Sequence, residues 1–140
     1  MKNLVTMTIA AAALMTAAGV ASAQTMEAKI PFAFRTSGKV LAPGTYRVQL
    51  TRIASGAVLE ISQFRSDQQA LAVPYPSGSP AAAWKKAGKA VLSFDCGSSG
   101  CSLHSVWMGN ELVYELPHAK RSKLEVERAE LVVMYPVKSE

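Results

Sequence analysis

The chain has 140 residues, 49% of them hydrophobic and 18% charged, with a formal net charge of +5. That length suits one domain. The basic excess is slight and lacks the clustered Lys/Arg face that nucleic-acid binding requires, so no nucleic-acid partner is expected.

Residues 1–23 read as a cleaved signal peptide. Lys2 gives a positive start, Leu4 to Val20 is uncharged and apolar, and Ala21-Ser22-Ala23 forms a small-residue cleavage site before Gln24. The apolar run reaches only roughly 17 residues and is rich in Ala and Thr, short of the about 20 that a membrane span needs. No cysteine follows it, so a lipoprotein signal is not expected. No later stretch holds 18 apolar residues, so no transmembrane anchor is expected after cleavage. The destination is the periplasm or the medium. Cleavage leaves residues 24–140 as a single domain of 117 residues. Lys2 is the one charged residue lost, so 15 basic residues become 14 against 10 acidic, a net charge of +4. A domain of this size buries roughly two-thirds of its unfolded surface and needs few cross-links.

The mature sequence alternates with period two. Ile30, Phe32 and Phe34 alternate with Lys29, Ala33 and Arg35. Tyr46, Val48 and Leu50 alternate with polar residues, and so do Leu59 and Ile61. This is the pattern of strands with one face on a core and one in water. Ser37-Gly38, Pro43-Gly44, Ser55-Gly56, Ser66-Asp67 and Gly109-Asn110 mark turns between them. Pro43-Gly44 suits a type II turn with Gly44 at positive φ. Residues 74–89, with three prolines and Trp84, read as one long loop. Residues 89–96 and 101–108 read as a hairpin pair. Ser122 and Glu125 form a capping-box pattern that predicts a short helix near 123–129. Residues 131–134 are a continuous apolar run, the pattern of a buried last strand, with Pro136 at its end. The fold class expected is all-β, an antiparallel sandwich or barrel-like domain.

FDCGSSGCSLH, residues 94–104, holds both cysteines. With Gly97 to Gly100 as a hairpin loop, Cys96 faces Cys101, and the register then pairs Phe94 with Leu103, Leu92 with Ser105 and Ala90 with Trp107. The other face pairs Asp95 with Ser102, Ser93 with His104 and Val91 with Val106. Directly opposed residues of an antiparallel pair lie within disulfide range, and an exported compartment is oxidising. A disulfide between Cys96 and Cys101 is therefore expected; whether it is structural or switchable stays open. Zinc would need four tetrahedral ligands. Cys96, Cys101, His104 and His118 supply that number, but alternation turns His104 away from the cysteines, so no metal or other cofactor is expected. Ser93, Asp95 and His104 invite a Ser–His–Asp reading, yet a sheet face offers neither pocket nor oxyanion hole, and no catalytic residue is assigned.

Residues 30–48, IPFAFRTSGKVLAPGTYRV, and 103–127, LHSVWMGNELVYELPHAKRSKLEVE, resemble the two signatures of a family of small exported bacterial proteins without an established function. The first is a Pro-Phe-x-Phe strand, a Gly-Lys turn and a Pro/Ala-Gly-x-Tyr step. The second is a strand ending in Val-Trp, then Glu-Leu-Pro and a mixed charged run. Here Pro43 and Ala42 are exchanged relative to the usual order, and the cysteine pair lies outside the pattern. The resemblance implies a secreted all-β domain and supplies no substrate.

The sequence thus points to a non-enzymatic exported β-domain acting by binding or as a structural component of the envelope or medium. Its candidate binding surface is Trp84, Lys85, Lys86 and Lys89, facing a protein or an anionic envelope polymer. A second basic cluster is Lys120, Arg121 and Lys123. Two alternatives stand beside this: a small-molecule or glycan binder with a pocket lined by Trp84, Trp107 and Tyr114, and a small hydrolase.

Overall fold

The alternating segments form strands in the structure, a computed structural model that describes residues 23–63, 65–117 and 127–137. In chain order they are β1 (Ala23–Ile30), β2 (Phe34–Thr36), β3 (Lys39–Leu41), β4 (Gly44–Ile53), β5 (Gly56–Ser62), β6 (Gln69–Ala72), β7 (Tyr75–Gly78), a helix α1 (Ala82–Ala87), β8 (Val91–Gly97), β9 (Gly100–Trp107), β10 (Val113–Glu115) and β11 (Arg128–Pro136). They make one sheet in the order β3-β2-β9-β8-β11-β1-β4-β5-β6, with β10 on β9 and β7 on β10. Most pairs are antiparallel; β2 runs parallel to β9. The sheet curls until its edges β3 and β6 meet. There Ser37 Oγ donates to Leu71 O (2.6 Å), Lys39 Nζ to Gln69 O (3.3 Å), and the Ala42 N–H to Gln68 Oε1 (2.9 Å). Side chains, not a backbone ladder, hold this seam of the barrel.

The inward face of every long strand fills the interior. Tyr46, Val48 and Leu50 of β4 are sealed, as are Leu59 and Ile61 of β5 and Leu92 and Phe94 of β8. Phe34 stands edge-on to Tyr46 and to Phe94, 5.4 Å between ring centres in each case. Such geometry suits the ring quadrupoles. The Tyr46 hydroxyl donates to Ala42 O at 2.5 Å, and burial raises its pKa above the ordinary phenol value.

Several sequence expectations change. The IPFAFR segment is two strands: Pro31 lacks the N–H that a ladder needs, so β1 ends at Ile30 and β2 restarts at Phe34, now beside β9. Gly44 opens β4 without a positive φ. The left-handed pair is Ser37 and Gly38, φ 51° and 75°, the type I′ geometry of a two-residue hairpin. Residues 74–89 are not one loop. Tyr75 and Pro76 of β7 pair with Glu115 and Tyr114 of β10, and Pro is tolerated because β7 lies at an edge. Of the helix expected over 123–129, residues 123–126 lie outside the described residues. Arg128 and Ala129 are strand, paired with Cys96 and Asp95; cross-strand pairing overrides the local capping signal. Finally, β11 is buried on one face only: Val132 and Met134 point inward, while Leu131, Val133 and Tyr135 are exposed.

Candidate functional site

α1 places the candidate surface. It has six residues, no side-chain acceptor at Ala81, and a stop at Gly88, whose αL backbone lets its N–H donate to Trp84 O at 3.1 Å. So short a helix is not stable by itself. Trp84 anchors it, half-buried against Val91, Trp107 and Val113. This small cluster lies on the opposite side of the sheet from the main core. It is completed by Trp107, whose indole N–H donates to Asn110 O at 2.7 Å. Lys85 and Lys86 occupy the last turn and are exposed, a favourable position for cations at a helix C-terminus. Lys89 reaches the Tyr135 ring, its Nζ 5.5 Å from the ring centre, within cation–π range. Trp84, Lys85, Lys86 and Lys89 therefore share one region, in which Trp84 is the anchor and the lysines face solvent. The second basic cluster, Lys120, Arg121 and Lys123, lies outside the described residues, as does His118.

Beside the lysines runs a feature that the sequence reading missed. Leu131 is 50% exposed, Val133 37% and Tyr135 56%, three apolar or aromatic side chains at alternate positions on the outer face of β11. Across the ladder Val133 pairs with Val91, and Tyr135 with Glu27. The signal was present as the length of the apolar run, but a strand apolar on both faces reads the same whether or not its outer face is covered.

The hairpin of β8 and β9 carries the disulfide, Cys96 to Cys101, with Cα atoms 4.0 Å apart. Cys96, Asp95 and Phe94 pair with Cys101, Ser102 and Leu103 as expected. The loop is tighter, since Gly97 pairs with Gly100. A register shift follows Phe94, so Ser93 meets Ser105, Leu92 meets Val106 and Val91 meets Trp107. His104 is the additional residue of this bulge. Bulges re-aim side chains, and here the His104 ring lies between two carboxylates. Its Nδ1 is 3.2 Å from Asp95 Oδ2 and its Nε2 3.2 Å from Glu115 Oε1. Ser93 is buried opposite Ser105, so Ser93, Asp95 and His104 do not assemble as a triad: a carboxylate occupies the place where a nucleophile would sit. The cysteines are joined to each other, and among the described residues no group of three or more His, Cys, Asp or Glu side chains is placed to hold a metal ion.

Trp107 and Tyr114 are buried, the first in the outer cluster and the second in the main core. Trp84 packs with Trp107 in the outer cluster, apart from Tyr114, so the three do not group in one concavity. Two shallow clefts flank the seam. One, about 290 Å³, is lined by Ser37, Lys39, Glu60, Gln69, Ala70 and Leu71. The other, about 360 Å³, is mainly apolar and lined by Ser37, Val58, Leu71, Ala72, Val73 and Pro117. Compared with protein-family models, curated proteins and solved structures, the chain matches none.

Proposed function

We propose that this chain is an exported, non-enzymatic β-barrel domain that works by binding, as a component of the cell envelope or the surrounding medium. The observation that carries the reading is the outer face where Lys89 lies over the ring of Tyr135 among uncovered apolar side chains, with the exposed Lys85 and Lys86 in the last turn of α1 just before it. The barrel interior is filled by side chains, so recognition falls to the outside. Export is supported by the signal-like residues 1–23 and by the Cys96–Cys101 disulfide, which an oxidising compartment sustains. The resemblance of residues 30–48 and 103–127 to small exported bacterial proteins points the same way.

The test is recovery of the protein from its producing cell after cross-linking. A co-recovered envelope component is expected, on a chain that starts at Gln24 and takes up no alkylating label until reduced. Recovery of the protein cross-linked to nothing else counts against binding, and a chain retaining residues 1–23 counts against export.

A further inference from the structure

We infer that the outer face of β11, with Lys85, Lys86 and Lys89, docks on an anionic lipid surface; the inference deepens the binding reading above and rests on it. Leu131, Val133 and Tyr135 project in alternation from the outer face of the sheet. Cations border them. Lys89 Nζ lies 5.5 Å from the Tyr135 ring centre, and Lys85 and Lys86 sit one turn before it in sequence. Lys29 neighbours Val133 one residue beyond the Ala28–Met134 pair. Of the acids near the stripe, Glu27 has Arg47 across the ladder on its other side, Asp95 is 3.2 Å from His104 and Glu130 is 2.9 Å from Arg128.

The shape of this face selects among occupants. A partner strand needs a long free edge, and β11 offers little of one because β8 pairs with its residues 128–133 and β1 with its residues 134–136. A second copy would contact the same patch in a two-fold arrangement and would press a mostly positive face against itself. An anionic polymer would use the lysines but leave Leu131 and Val133 in water. A bilayer of anionic lipids uses both features: headgroups meet the lysines, and short apolar side chains with a Tyr enter the headgroup–acyl boundary.

The test is sedimentation of the protein, purified from its producing cell, with vesicles of phosphatidylcholine alone or with about one-third phosphatidylglycerol. Binding to the anionic vesicles only is expected, with release in high salt as charges are screened. Lys85→Gln, Lys86→Gln and Lys89→Gln together should weaken it about 100-fold, at roughly fivefold for each lysine. Leu131→Thr, Val133→Thr and Tyr135→Thr together should weaken it about tenfold. These residues are exposed and Thr suits a strand, so both variants should melt as the parent does. Absence of binding to anionic vesicles overturns the lipid assignment. So does binding that the Thr variant leaves unchanged, which would indicate an anionic polymer, or a concentration-dependent dimer that the Thr variant abolishes, which would indicate self-association. A protein partner recovered from cross-linked cells, with no vesicle binding, overturns the lipid assignment and leaves the binding reading standing.

Discussion

Tyr46 illustrates how much one side chain decides. Its ring is sealed in the core beside Phe34 and its hydroxyl is bonded to Ala42 O. Burial favours the neutral phenol and raises the pKa. The stability this contributes is therefore complete below the unfolded value of about 10 and is lost as pH rises through the higher folded value. Tyr46→Phe should cost about 1 kcal/mol at neutral pH through the lost hydrogen bond. It should also reduce the loss of stability above pH 10, which urea melts at neutral and alkaline pH would measure. Two glycines make a contrasting pair. Gly38 needs its left-handed φ in a type I′ turn, so Gly38→Ala should cost about 1 kcal/mol. Gly44 needs only space, since a Cβ there would meet the side-chain amide of Gln63, a flexible group able to move aside. Gly44→Ala should cost less, and thermal melting of the two variants would rank them.

The β8–β9 hairpin shows what was legible at the scale of elements. Alternation placed Cys96 opposite Cys101 and Phe94 opposite Leu103, because near the turn one face is apolar and the other is not. The register was misread beyond Phe94 because Val106, Trp107 and Met108 are all buried. The main core lies on one side of the sheet and the Trp84 cluster on the other, and a strand covered on both faces loses its period-two signal. The bulge at His104, and with it the contacts to Asp95 and Glu115, was hidden for the same reason. The stripe on β11 was missed in mirror image: apolar on both faces, it reads as covered when one face is open. Tyr75 and Pro76 were missed because Pro argues against a strand unless an edge position is known in advance. Cys96→Ser with Cys101→Ser should lower stability by about 2 kcal/mol, the value for a short closed loop, while the strand content by circular dichroism stays the same.

For the whole molecule, closure of the barrel rests on its weakest line. Ser37, Lys39 and Gln68 bridge β3 and β6 with exposed side-chain bonds, and exposed bonds open at low cost. Ser37→Ala with Gln68→Ala should speed hydrogen exchange at the β6 amides Ala70 and Ala72, which pair with Ile61 and Leu59, and leave the amides of β8 and β11 unchanged. The position of β11 has a different consequence. It lies between β8 and β1, so without it the sheet falls into two pieces, β1-β4-β5-β6 and the group around β8 and β9. Among the described residues no other ladder joins them, only the side-chain bonds of the seam. A chain still emerging from the ribosome therefore lacks the strand that unites its halves until residues 128–136 are made. On the export reading, that order keeps the two halves unjoined, and the chain easier to thread through a translocation channel, until β11 has been made.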